Sequence, residues 1–356
     1  MRKYIVIFSI LTAFNLSAQN KIAFTKLVKD TAGIYTLNEN PYTGESLILW
    51  PSNNKPMQRV EWQGGRISGT FESWYEDGKQ DQIVGYKEGV RDGEFKTFYT
   101  NGAPEVHCKY KKGTLDGAYM SYERSGTRQK QVTFVNGLEQ GSFKLYHTNG
   151  AVEQKGDYKD GKPNGMVVSY DRDGNKRKEI NYKNGLRDGQ SISYHISGEI
   201  AKTANYKNGY AEGEKKTFTL EGKLLLVENY TNGKLDGIST TYTMSGFPLE
   251  IKSYQDGLLN GDYTFYKEQG KHTYGPYKDG LKTGKWVEHL FAEGGADEGS
   301  YIKGKKNGPW KLGATNIFGK CTGEFMDNMK HGTWKYWKHN GKKWKTEKWD
   351  HGVLIK

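Results

Sequence analysis

Cysteine is almost missing from this chain, with only Cys108 and Cys321 among 356 residues. Two thiols supply neither a disulfide framework nor a cysteine-based metal site. Apolar residues are also scarce, at 35% of the chain with a mean hydropathy of -0.85, which excludes a thick globular core. Beyond the first 18 residues no apolar run approaches the roughly 18 to 20 residues that a membrane-spanning helix needs. No stretch sustains a helical period. The P-loop, the nucleophile elbow, His-Glu-x-x-His and paired Cys-x-x-Cys are lacking too. The expectation is therefore a chain that is no enzyme, with no catalytic, cofactor-binding or metal-ligating residues. His147 and His195 occupy equivalent places but lie two periods apart, roughly 20 Å in a sheet with two strands per period, too far to share an ion. The oxygen-rich run Asp171-Arg172-Asp173-Gly174-Asn175 with Glu179 is read as a hairpin turn rather than a calcium loop.

What the chain does have is a period. An aromatic recurs every 24 residues at Trp62, Tyr86, Tyr110, Phe134, Tyr158, Tyr182, Tyr206, Tyr230 and Tyr254, then after one 23-residue step at Tyr277, Tyr301, Phe325 and Trp349. Counting from this opening aromatic, glycines favour positions +3, +7 and +16, and further aromatics favour +9 and +12. Self-similarity from about residue 41 to the end argues for one elongated array in place of several domains. Nine periods separate the two cysteines, on the order of 85 Å at two strands per period. A disulfide needs Cα atoms within about 7 Å, so both are read as unpaired.

Turn chemistry gives the content of a period. Asp77-Gly78, Asn101-Gly102, Asn149-Gly150 and Asn340-Gly341 are the pairs favoured in hairpin turns, where both central positions tolerate positive φ. The glycines at +3 and +7, as in Gly89-Val90-Arg91-Asp92-Gly93, bracket a second connection, leaving strands of about six residues. The fold class expected is all-β, about twelve 24-residue β-hairpin units in a single-layer antiparallel sheet. Equivalent aromatics of neighbouring units, such as Phe71, Phe95, Tyr119 and Phe143 at +9 or Trp74, Phe98, Tyr122 and Tyr146 at +12, are expected to stack into ladders.

The ends differ from the array. Met1-Arg2-Lys3, the apolar run Tyr4 to Phe14 and the small residue of Leu16-Ser17-Ala18-Gln19 read as a signal peptide over residues 1–18, and residues 19–40 as a linker or N-terminal cap. The chain is accordingly expected to be exported to the periplasm, the outer-membrane surface or the medium. The net charge is +12, or +10 once Arg2 and Lys3 are removed. Six of the nine tryptophans lie beyond residue 285. At the end, Trp334, Lys335, Trp337, Lys338, Lys342, Lys343, Trp344, Lys345, Lys348 and Trp349 interleave ammonium groups with indoles. Such a mixture suits an anionic, partly apolar partner: lipid headgroups, acidic glycan or an acidic protein, rather than nucleic acid. The plainer reading is a terminal cap, with Trp covering the sheet edge and Lys discouraging edge-to-edge association.

The units YKEGVRDGEFKTFYTNG, YKNGLRDGQSISYHISG and FMDNMKHGTWKYWKHNG resemble MORN repeats, in particular the bacterial variant whose members are often labelled YwqK-type antitoxins. The resemblance covers roughly residues 41–356 and implies successive β-hairpins acting as a scaffold or as a protein- or lipid-interaction module. Asn328 departs from the pattern at the first glycine. The function expected is that of an exported, non-enzymatic binding or scaffold protein of the bacterial cell envelope. Two alternatives stay open, an antitoxin or immunity protein that masks a toxin, and an envelope enzyme acting on glycan.

Overall fold

A computed structural model of the protein describes residues 21–267, 270–289, 295–314, 317 and 319–356. The signal peptide read from residues 1–18 lies outside them. The described chain is almost entirely β-strand, and its contacts divide into two compact units, one ending at Gly161 and the other beginning at Lys162. Both consist of consecutive antiparallel hairpins in chain order.

The turns carry the period, with a division of labour that differs from the sequence reading. The two-residue type I′ turn lies at +2 and +3, where both φ values are positive: 51° and 81° at Glu88-Gly89, 52° and 85° at Asn184-Gly185. Strands of eight and nine residues flank it, as in Gln80–Lys87 and Val90–Phe98, longer than the six expected. The glycine at +7 belongs to no connection. Gly93 sits inside Val90–Phe98 at φ +105°, beside a register shift that makes a β-bulge. The Asx-Gly pair at +15 and +16 closes a three-residue loop of the type I plus bulge kind, in which Tyr99 N–H donates to Ala103 O and Gly102 N–H to Tyr99 O. There only the glycine has positive φ. The Asx residue is present for its side chain: Oδ1 of Asp77, Asn101 and Asn149 accepts the N–H two residues on, at 3.0, 3.1 and 3.1 Å.

In the first unit one face carries an alternating row, Phe71, Val84, Phe95, Cys108, Tyr119 and Val132, each opposite the next across paired strands. Equivalent rings do not stack directly here, because a strand intervenes between them. The rings at +9 meet the opening aromatic of the following period instead, at 5.5 Å for Phe95 and Tyr110 and 5.6 Å for Tyr119 and Phe134, edge to face. Position +12 is an odd number of residues from +9 and so faces the other side. Cys108 and Cys321 are both free and buried.

The start of the described chain is folded. Phe24–Lys26 forms a 3-10 turn, and Val28–Lys29, Tyr35–Leu37 and Asn40–Pro41 make a small antiparallel sheet. Leu27 and Tyr42 are buried against Val60 and Trp62, with Phe24 and Tyr35 packed alongside. Lys21–Ala23 pairs in parallel with Gly44–Leu49, so the first hairpin strand does not present a bare edge.

Contacts between periods are built from fixed positions. The glycine N–H at +3 donates to the carbonyl at +5 of the previous period, as Gly113 does to Arg91 at 2.8 Å. A polar side chain at +6 accepts the next period's +2 N–H: Asp92 from Lys112 at 3.0 Å, Gln140 from Asp160 at 2.8 Å, Asp188 from Asn208 at 3.2 Å. At the opposite hairpin end the +13 side chain reaches the next +12 carbonyl, as Tyr75 Oη does to Phe98 and Tyr99 Oη to Tyr122, at 2.6 and 2.8 Å.

Candidate functional site: two faces of the tryptophan-rich repeats

In the second unit the inward row changes character. Ser191, Ala204, Lys215, Glu228, Ser239 and Lys252 interrupt it, and Lys215 pairs with Glu228 at 2.8 Å. Beyond Tyr263 the row becomes indole: Trp286, Trp310 and Trp334, with 1%, 2% and 0% of their surface exposed. Each indole occupies space that its strand neighbour vacates. A Cβ added to Gly275, Gly299 or Gly323 would fall 2.4, 2.1 or 2.2 Å from the ring of Trp286, Trp310 or Trp334. The glycine leaves the neighbouring backbone open to the indole, whose Nε1 donates to Pro276 O, Ser300 O or Glu324 O at 3.0, 3.2 and 3.1 Å. Buried N–H groups are thereby satisfied. Tyr277, Tyr301 and Phe325 meet the indoles edge to face, at 5.0 to 6.0 Å.

Lysine at +5 covers this row. Lys282, Lys306 and Lys330 place Nζ 4.1, 4.1 and 4.6 Å from the indole centroids of Trp286, Trp310 and Trp334, a cation–π arrangement that favours indole above other rings. Glu288 completes the local charge balance. It pairs with Lys282, lies 3.7 Å from Lys306, and accepts the Tyr301 hydroxyl at 3.1 Å. Burial, together with the Glu288 charge, pushes the Tyr301 phenol well above its ordinary pKa. These lysines are thus engaged in holding the indole row.

A second set of lysines faces the other way. At +8 and +10 lie Lys285, Lys311 and Lys335, which with Val287, Glu298 and Thr333 border an open groove of about 770 Å³. Gly299 and Gly323 lie along its floor. Lys311 pairs with Glu298 at 3.1 Å. Lys285 and Lys335 have no ion-pair partner within 4 Å among the described residues, so the groove carries an excess of positive charge.

The ten residues singled out in the sequence divide between these faces. Trp334 is fully buried in the indole row and belongs to the interior, not to a contact surface. Trp349 is half-buried, with Lys330 4.9 Å above its ring and its Nε1 donating to Glu347 at 3.0 Å. Trp337 is half-buried, 5.4 Å below Lys320. Lys345 is exposed, pairs with Glu347 at 2.7 Å and lies 4.7 Å from the Trp344 ring. Burial raises the Glu347 pKa, but hydrogen bonds from Lys345, Tyr336 and Trp349 outweigh it and leave the carboxyl below its ordinary value. The exposed remainder is Lys335, Lys338, Lys342, Lys343, Lys348 and Trp344, the indole being 43% exposed beside a shallow depression that Ile317, Lys338, His339 and Asn340 line with it. Sequence reading found this patch from charge and indole content. It missed the groove, whose signal is the glycine two residues before an opening aromatic, at Gly275, Gly299 and Gly323, wherever Trp stands at +9.

The model of the MORN repeat variant matches residues 91–112, 139–160 and 163–184. Each match begins at the +5 residue of one period and ends at the +2 residue of the next, which is one hairpin closed by the three-residue loop at +15 and +16. No curated protein matches. Among solved structures, the TcdB2-TccC3-TEV crystal structure is similar at 11% identity with a TM-score of 0.16, over 89% of this chain and 24% of that one. The Photorhabdus luminescens Tc holotoxin pore is similar at 10% identity with a TM-score of 0.16, over 85% and 20%. This chain therefore spans about a quarter or less of the length of those chains, and at such TM-scores the likeness carries no argument about function.

Proposed function

Three units of the chain match the MORN repeat variant, and from that premise we propose that the protein is an exported, non-enzymatic scaffold of the bacterial cell envelope. Its C-terminal repeats hold an anionic surface, lipid headgroup or acidic glycan. The observation that carries this reading is the separation of two lysine sets on two faces: one covers indoles, while Lys335, Lys338, Lys342, Lys343 and Lys348 stay exposed around Trp344. Ammonium groups in water beside an exposed indole match an interface that is negative above and apolar just beneath. Affinity then comes from summed weak contacts along repeated hairpins, each basic residue contributing about 1 kcal/mol near an anionic leaflet.

The test is co-sedimentation of the chain without residues 1–18 with vesicles of neutral lipid and of neutral lipid mixed with an anionic phospholipid. A variant with Lys335, Lys338, Lys343 and Lys348 changed to Ala is run beside it. Trp334 is left intact because its loss would damage the core. Binding to the anionic vesicles is expected to fall with salt, and the variant to lose on the order of 100-fold or more in partitioning, at about 1 kcal/mol per lysine. Salt-independent binding, or a folded variant that binds as well as the parent, would overturn the reading. If neither protein sediments with lipid, an acidic protein partner replaces the lipid surface.

A further inference from the structure

The last turn breaks the pattern of the array at three positions at once. Position +6 holds an oxygen acceptor in most earlier periods, among them Asp92, Asp116, Gln140, Asn164, Asp188 and Glu212, and in the final complete period it is His331. Position +1 is Asp only at Asp350. Position +2, usually Asn or Asp, is His only at His351. His351 takes the left-handed φ of +45° that Asn or Asp takes at this position in most other periods, a conformation that histidine also tolerates.

These positions belong to neighbouring strands of adjacent periods, and the fold brings them together. His351 Nδ1 lies 2.6 Å from Asp350 Oδ1, and His331 Nδ1 lies 3.4 Å from the same oxygen. The two imidazole rings are 5.1 Å apart, and one donor atom from each of the three residues lies within 4.8 Å of the others. His331 Nδ1 is shielded from solvent and has no hydrogen-bond partner, although the equivalent Asp or Asn oxygen elsewhere caps the next turn. The turn itself stays in register, since Gly352 N–H still donates to Lys330 O at 2.9 Å. What has changed is the chemistry of the side chains, on an unchanged backbone.

We infer that His331, Asp350 and His351 form a binding site for a divalent transition-metal ion of the zinc, cobalt or nickel class, clamping the final turn to the preceding hairpin. Two imidazoles and one carboxylate are borderline ligands that suit these ions and disfavour magnesium and calcium, which take oxygen donors. Ligand bonds of about 2.0–2.2 Å require the donors to converge to roughly 3.3 Å from one another. Rotation of the exposed Asp350 and His351 side chains supplies that movement. Three protein ligands leave a fourth position for water or for a donor from a bound partner.

The experiment is isothermal titration of zinc chloride, and of magnesium chloride, into the tag-free, metal-stripped protein, with cobalt(II) absorption to report coordination number. The variants His331→Asn and His351→Asn restore residues that the same positions carry elsewhere in the array, so both are expected to fold, and a thermal melt checks this. One zinc equivalent is expected for the parent, with affinity at least tenfold weaker in either variant and no competition from magnesium. A measurement that needs no variant is the imidazole nitrogen spectrum of the parent, where zinc is expected to shift the His331 and His351 signals ahead of those of the other histidines. Undiminished zinc affinity in folded variants, zinc shifting other histidines first, or no binding by the parent at millimolar zinc would each refute the site.

Discussion

Gly299→Ala tests the indole row most directly. The glycine has a backbone conformation open to any residue, so the substitution carries no left-handed penalty, and alanine in a strand would by itself be favourable by about 0.5–1 kcal/mol. Against this stands the added Cβ, 2.1 Å from Trp310, where a normal contact needs well over 3 Å. The ring has no free direction of retreat. It is 2% exposed, its Nε1 is bonded to Ser300 O, Tyr301 and Phe325 stand at 5.3 and 5.9 Å, and Lys306 lies across it at 4.1 Å. Overpacking of this kind costs about 1–3 kcal/mol, which against that gain of about 0.5–1 kcal/mol leaves a net loss of about 1 kcal/mol at the middle of both ranges and about 2.5 kcal/mol at most, with more expected for Gly299→Val. The first unit shows the remedy, since there Val84 faces the smaller ring of Phe95. The pair Gly299→Val with Trp310→Phe is therefore expected to be more stable than the sum of the single changes by about 1–3 kcal/mol. The assay is amide exchange of peptides covering residues 296–326 across a urea series, because an array need not unfold in one step. Gly299→Ala protecting those amides as well as the parent, or strict additivity in the pair, would refute the reasoning.

Two further outcomes follow from the contacts. Tyr99→Phe removes the hydroxyl that bonds to Tyr122 O at 2.8 Å; a loss of about 1 kcal/mol is expected, confined to the adjoining hairpins and read by the same exchange measurement. Burial pushes the thiols of Cys108 and Cys321 up to about 11 from an ordinary 9. Their contribution is complete below about pH 9 and is lost as pH rises through 11, so melting at pH 10.5 is expected below that at pH 8. Cys108→Val, the residue at Val84 and Val132, removes part of that difference, and neither thiol of the native parent is expected to react with a thiol reagent at pH 8.

The sequence shows the hairpin array plainly because the period is fixed by turns, and turns depend on a few residues with special φ values. Which turn does what was harder to read. Asn149-Gly150 and Asn184-Gly185 look alike as dipeptides, yet one needs only a glycine in the left-handed region and an Asx oxygen, while the other needs both φ values positive. Loop length settles this, and it depends on strand pairing. The small sheet over Trp62 was not legible, since Leu27, Tyr35 and Tyr42 follow no period and become a core only through contacts with the array. At the other end, charge and indole content located the lysine patch but could not tell Trp334, inside, from Trp344, outside: facing depends on strand register. His331 and His351 escaped notice for a similar reason. They hold different positions within the period, and only the pairing of adjacent hairpins makes them neighbours.

In the regular periods the bonds that join one period to the next leave from fixed positions and land on fixed positions, which makes the array a ruler divided in whole units. Excising residues 110–133 would join Lys109 to Phe134, offer Asp92 the N–H of Asn136 in place of that of Lys112, and give Tyr99 the carbonyl of Tyr146 in place of that of Tyr122. The one short step shows what tolerance exists. Between Tyr254 and Tyr277 the missing residue comes out of the loop, where Tyr266 pairs with Lys271, four residues intervening, against the five between Trp74 and Gln80. Length can thus be gained or lost by copying or deleting a single coding segment, with no new interior to invent, and the reach of the surface changes by one tick each time.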